Sequence, residues 1–178
     1  GVVVVSLLNA EIEAVQDQIP IAGIADGPGN LGDGRRTGAR IDATAPLDIL
    51  GLKGGELRLK GMAQTSSVDD PVTARSRGFS GEPHWRCSTD LRRPSPDLKL
   101  LWGALYERAD DVELFRLKEL RTTGWDDPNL DLYVETTAFT GFVVRFTVSD
   151  VLRPTEVRER RFFVPDRLSD ANLSSIET

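Results

Sequence analysis

Alternation is the property of this sequence that leaves the fewest folds open. Ala39, Ile41, Ala43 and Ala45 are interleaved with Arg40, Asp42 and Thr44. Leu57 and Leu59 alternate with Glu56, Arg58 and Lys60. Leu98, Leu100, Trp102, Ala104 and Tyr106 form another period-two stripe. So do Leu130, Leu132 and Val134 against Asp131, Tyr133 and Glu135, and Phe142, Val144, Phe146 and Val148 against Arg145, Thr147 and Ser149. Successive residues of a strand point to opposite faces, so each segment predicts a strand with one apolar and one polar side.

Turn chemistry separates these segments. The 16 glycines and 10 prolines cluster at Gly23–Gly34, Gly51–Gly55, Pro71–Pro83 and Pro94–Pro96. A further cluster, Gly124–Asn129, holds glycine, aspartates and a proline. Asp69-Asp70-Pro71 and Asp126-Asp127-Pro128 read as turns, because Asp starts turns and Pro presets φ. Neither has the regular ligand spacing of a calcium loop. Two segments, Asn9–Gln18 and Val112–Leu120, fit a short helix about as well as a strand, and strand is the preferred reading for both.

Ascending strands are expected near 2–19, 56–65, 98–121 and 142–150, and descending strands near 35–46, 84–92 and 130–137. The connections at one end, 47–55, 93–97 and 138–141, are then short. At the other end, 20–34 and 66–83 are long and 122–129 is intermediate. Short turns on one side and long loops on the other are the asymmetry of outer-membrane barrels. The expected fold class is therefore all-β: antiparallel up-and-down strands forming part of a transmembrane β-barrel, incomplete at both ends. About seven or eight strands fit, at roughly 9–11 residues per spanning strand plus turns.

Composition removes other classes. Apolar residues make up 39% and charged residues 28% of the 178 residues, with a net charge of −6. No run approaches the ~18 apolar residues that a spanning helix needs; the longest is Val2–Val5, with Leu7 and Leu8 just beyond. The negative charge argues against nucleic acid as a partner. The chain has one histidine, His84, and one cysteine, Cys87, so no His/Cys zinc site and no internal disulfide are available. At odd separation on a strand, these two side chains point apart, which disfavours a catalytic pair. The glycine-rich stretch Gly27–Gly38 lacks the Lys-Ser/Thr ending of a phosphate loop and reads as a mobile loop able to touch a ligand. No enzyme activity, catalytic residue, metal site or cofactor is expected.

Three stretches carry a family likeness. Asn30-Leu31-Gly32, with Gly38 and the alternating Ala39–Ala45, resembles a strand entry common in one family of barrels, with Arg40 where an acid is usual. Val148-Ser149-Asp150-Val151-Leu152-Arg153 resembles that family's penultimate-strand signature, Val-x-Asn-Leu-x-Asp. Ser67–Gly81, followed by Trp85, resembles a long loop that re-enters the membrane; it holds Asp69-Asp70-Pro71-Val72-Thr73, Arg75 and Arg77. In order and spacing, from about Val4 to Pro165, the chain is similar to the C-terminal part of the barrel of TonB-dependent outer-membrane receptors, in an alpha-proteobacterial form.

The resemblance implies one unit over 1–178, a segment of a barrel of roughly 22 strands without its plug domain. The chain reads as beginning in mid-strand, with its export signal upstream. It ends Ser175-Ile176-Glu177-Thr178 rather than on the aromatic residue that closes such barrels. The resemblance further implies an outer-membrane location and a role in TonB-energised uptake of a siderophore or other large nutrient of unspecified identity. The implied partners are the lipid bilayer, the plug and TonB, the last two through the rest of the receptor. Leu100, Trp102, Leu132, Val134, Val144 and Phe146 would face lipid. Arg40, Asp42, Arg58, Lys60, Glu135 and Arg145 would line a wet interior and meet the plug. Trp85, Trp102, Trp125, Tyr106 and Tyr133 would sit at the interfaces. A soluble β-sandwich binding module and a complete eight-stranded outer-membrane barrel are the alternatives.

Overall fold

A computed structural model describes residues 1–139 and 141–178. Among them there is no α-helix, only strands and three single-turn 3-10 segments. The strands are β1 (Val2–Ile12), β2 (Gln16–Ile21), β3 (Ala25–Asn30), β4 (Gly34–Pro46), β5 (Glu56–Asp69), β6 (Ser76–Arg77), β7 (Trp85–Ser95), β8 (Leu100–Ala109), β9 (Val112–Phe115), β10 (Glu119–Trp125), β11 (Asn129–Thr136), β12 (Val144–Val148), β13 (Glu156–Phe163) and β14 (Leu173–Glu177). The all-β expectation therefore holds, and both segments of mixed periodicity are strand.

The main sheet runs β1-β4-β5-β7-β8-β11-β12, with β6 attached to β5, and every ladder is antiparallel. Neighbours along this path follow chain order, with the β2–β3 and β9–β10 hairpins leaving the sheet between them, so the sheet is a meander. It is open: β1 and β12 are its edges, and no ladder joins them among the described residues. A complete eight-stranded barrel is thereby set aside.

Two expected strands divide. The 2–19 segment breaks after Ile12, where Ala14 takes a positive φ of 62°, and resumes as β2 of a separate hairpin with β3. The glycine-rich stretch read as an irregular loop supplies β3 and the start of β4. Gly29 makes room there for Ile19, whose γ-carbon a Cβ would meet, while at Gly27 only the terminal methyl of Ile21 would have to shift. The 98–121 segment, too long for one strand, becomes β8, β9 and the start of β10. β9 and β10 leave the main sheet as a hairpin, and two added strands preserve the alternation of direction, so β11 still returns antiparallel to β8.

At one end the connections are the segments 47–55, 96–99 and 137–143. The short connection expected at 138–141 contains Thr140, which lies outside the described residues. At the other end the connections are long and folded. β9 and β10 join the C-terminal strands β13 and β14 in a second sheet, ordered β14-β13-β10-β9. The one buried apolar cluster among the described residues, Val15, Val68 and Phe79 flanked by Ile12 and Leu31, also lies at this end. Its Val68 and Ile12 belong to the ends of β5 and β1, and among the described residues no other cluster of buried apolar side chains lies along the main sheet.

Candidate functional site

Register decides what each face of the main sheet presents, since antiparallel partners share a face. One row reads Ser6–Arg40–Met62–Arg86–Ala109, and the next Val4–Asp42–Lys60–Ser88–Glu107–Asn129. Below them come Thr44–Arg58–Asp90–Leu105–Asp131 and, farther along, Glu135 opposite Arg145. All six residues expected to line a wet interior thus share this polar face. The other face carries Ile41–Gly61–Cys87–Arg108, Ala43–Leu59–Thr89–Tyr106–Leu130 and Leu57–Leu91–Ala104–Leu132–Val148. Trp102–Val134–Phe146 and Leu100–Thr136–Val144 complete it. The six residues expected to face lipid share this side of the sheet.

The apolar face is uncovered. Val5 is 63% exposed, Leu132 43% and Phe146 68%. A β-sandwich would press a second sheet of the same chain onto this surface; the second sheet instead stands at the loop end. The charges on this face, Glu11, Arg35, Asp69, Arg93 and Arg108, lie near strand ends. Arg93 folds over the Trp102 ring, 5.9 Å from its centroid, and Arg108 donates to the Asp126 carbonyl at 3.1 Å.

On the polar face a cleft of about 740 Å³ runs over β4, β5, β7 and β8, and Trp125 closes one side. A second cleft of about 480 Å³ adjoins it toward β1, and both are lined by Arg40, Met62 and Arg86. Most cations of this face are paired: Arg36 with Glu82, Arg58 with Glu56, Arg92 with Asp90 and Arg145 with Glu135. Tyr133 is a correction to the interfacial set. It lies on the polar face, 3% exposed, packed over Gly103 with its hydroxyl donating to Asp90 Oδ1 at 2.7 Å and Arg145 stacked on its ring at 4.0 Å. A β-carbon at 103 would clash with the Tyr133 ring, so glycine creates the slot. Trp125 also leaves the apolar face, being on β10. Trp85, Trp102 and Tyr106 remain on it.

The loop end is held by charge. Arg77 Nη1 lies 3.0 Å from Asp17 Oδ2 and its Nε 3.4 Å from Asp70 Oδ2. Arg167 Nη2 lies 2.9 Å from the same Asp70 oxygen. Both guanidiniums stack on Phe115, at 4.4 and 5.4 Å. These four ionic side chains are at most 7% exposed, so the pairs are shielded from solvent. Burial pushes the Asp17 carboxyl up, but bonds from Ser80, the Gln18 amide and Arg77 outweigh it and hold the group below its ordinary value. Hydrogen bonds from the Leu117 amide to Asp26 and the Gly81 amide to the Glu113 carbonyl tie the same connections together. Asp69-Asp70-Pro71 is the turn its sequence signals, with the Val72 amide on Asp70 Oδ1 at 2.8 Å. Arg77 is seven residues from Asp70 in the same loop, but Arg167 is distant in sequence, so the shared ionic role of Asp70 carries no local signal.

Among the described residues no group of His, Cys, Asp and Glu is arranged to hold a metal ion. His84 and Cys87 are apart: His84 Nδ1 is 3.2 Å from Asp110 Oδ2, while Cys87 is on the apolar face. Comparison with protein-family models, with curated proteins and with solved structures gave no match.

Proposed function

We propose that this chain is a wall segment of an outer-membrane β-barrel, the C-terminal part of a TonB-dependent receptor, working in energised uptake of a siderophore or another large nutrient. One observation carries the reading. A seven-strand meander leaves a continuous apolar face uncovered while its other face is charged and hydrogen-bonded. Contiguous exposed apolar patches beyond a few hundred Å² mark surfaces that meet lipid or a partner. A sheet crossing hydrocarbon needs every backbone group paired, which further strands at β1 and β12 would complete.

Dimensions agree. Trp85 and Trp102 border the apolar face from opposite ends. Trp102 is opposite Arg93, eight residues along β7 from Trp85, or roughly 27 Å of strand. In strands tilted by about 40° this is roughly 20 Å of height, close to the ~25 Å apolar band of outer-membrane barrels. The folded connections at one end and the tight turns at the other match that architecture. In this reading the chain does no chemistry. Its strands hold the pore, its polar face meets the plug, and its loop end is the outer rim.

The test uses the chain refolded into phosphatidylcholine vesicles, with Trp102 as the sole tryptophan through Trp85→Phe and Trp125→Phe. Lipids brominated in mid-chain should quench its fluorescence. An unquenched Trp102 in a chain that remains monomeric and soluble in buffer would overturn the assignment.

A further inference from the structure

Three cations of the polar face stand apart from the others. Arg40, Lys60 and Arg86 are exposed, and none has a carboxylate at ion-pair distance or a side-chain hydrogen bond among the described residues. Asp42 is opposite Lys60 in the ladder but does not close on it. Arg40 and Arg86 occupy the same row, on either side of Met62. Two inter-strand spacings separate their backbones, roughly 10 Å, and a guanidinium on each arm can turn inward over the methionine. Only Met62 lies between them in the row, and Lys60 stands one row below, between Asp42 and Ser88. Both clefts of the polar face open onto this row.

Neighbouring cations are the comparison. Arg36, Arg58, Arg92 and Arg145 each have a carboxylate from this chain. The polar face thus pairs four of its arginines and leaves Arg40, Lys60 and Arg86 without an ion pair at one place, in a cleft of about 740 Å³ that Asp42, Glu107, Asp127 and Asp150 also line. Planar guanidinium donors bind carboxylate and phosphoryl oxygens in bidentate pairs, and two of them converging discriminate in favour of multiply charged groups.

We infer that Arg40 and Arg86, with Lys60 beneath them, form a clamp for a small multivalent anion on the polar face. The inference rests on the reading that this face borders an aqueous interior, and it names the class of solute that interior would hold. Pyrophosphate is a suitable probe, because its two phosphoryl groups can engage both guanidiniums. Orthophosphate serves as the smaller competitor.

The experiment is calorimetric titration of pyrophosphate into the full chain refolded in detergent, at constant ionic strength. Saturable binding is expected, with affinity at least tenfold above that for orthophosphate. Arg40→Gln and Arg86→Gln should each weaken it about tenfold, and the double variant should abolish it. Lys53→Gln, which removes the same charge in the turn between β4 and β5, should leave it unchanged. Circular dichroism checks that each variant keeps its strand content; the replaced side chains have no carboxylate to strand. Absent binding, equal affinity for the two phosphates, or equal loss in Lys53→Gln would each overturn the clamp. The quenching of Trp102 by brominated lipid reads the opposite face, so it separates failure of the clamp from failure of the membrane assignment.

Discussion

Single side chains in this protein are most consequential where they close a gap between strands. Gly103 leaves the slot that Tyr133 fills, and the Tyr133 hydroxyl then reaches Asp90 on the strand beyond. Gly103→Ala should expel the ring, break that bond and cost about 1–3 kcal/mol. A urea titration of the refolded chain should show the lower midpoint, and an unchanged midpoint would mean that the slot is not needed. Asp70 matters more. It serves Arg77 and Arg167 together in a solvent-shielded site. Asp70→Ala leaves two buried guanidiniums with one carboxylate, Asp17, between them. The expected loss is about 3–5 kcal/mol, the usual consequence of breaking a buried pair from one side. The conservative Asp70→Asn variant, which keeps an acceptor without the charge, should fall between.

Among the elements, the loop-end sheet is joined through a buried carboxylate, whereas the ion pairs of the main sheet are more exposed. β10 and β13 are joined by Glu119, which accepts from Arg160 Nε at 2.7 Å and is also near Arg116 and Arg121. The Arg160 hydrogen bond is the main reason that the Glu119 carboxyl is held below its ordinary value, against the opposing effect of burial. Asp17 is lowered too. Carboxyls lowered by folding stabilise the native state fully above their unfolded values, roughly pH 4. That stabilisation is lost as pH falls through the lower folded values. The loop end should therefore loosen in acid before the main sheet does. Hydrogen exchange at pH 3 and pH 6, corrected for intrinsic rates, should show protection lost in 119–125 and 156–163 and retained in 56–69. Uniform protection at pH 3 would contradict this. Between Leu98 and Trp125 the chain divides into β8 and a departing hairpin, β9–β10. Asp110 and Asp111 mark the break, and Gly124 provides the space that the Asp111 carboxylate occupies.

For the whole molecule the question is what touches the apolar face. Leu132 is near the middle of β11 on that face, between Ala104 and Val148. Leu132→Arg discriminates between media. In lipid, a charge at mid-depth should cost about 2–4 kcal/mol. In water, a surface change at a 43% exposed position is usually within ~0.5 kcal/mol. The measurement is the unfolding free energy of the variant refolded in vesicles against the parent chain, and a near-zero difference would argue for an aqueous surface. The open edges are a property of the same scale. β1 is apolar on both faces, with Val2, Val4 and Leu8 on one side and Val3, Val5 and Leu7 on the other. Long apolar edges pair with whatever strand is available, so the chain without lipid or detergent is expected to aggregate through β1.

Much of this architecture is readable from residue order because alternation is local. Ala39 to Ala45, Leu57 and Leu59, and Leu130 to Val134 state which side each strand hides without reference to any other strand, and a meander then needs only turns between them. The six side chains expected on each face segregate as the alternation requires. Tyr133 shows where that logic stops: parity places its ring on the polar side, but the slot above Gly103 exists only when β8 and β11 are in register. The same holds for Arg77, Asp70 and Arg167, whose meeting joins a loop after β5 to the segment after β13. Arg40 and Arg86 lie 46 positions apart and become neighbours across Met62 through two ladders. Contacts of that kind depend on how strands and connections are brought together in space, a long-range matter on which the alternation of any one segment carries no information.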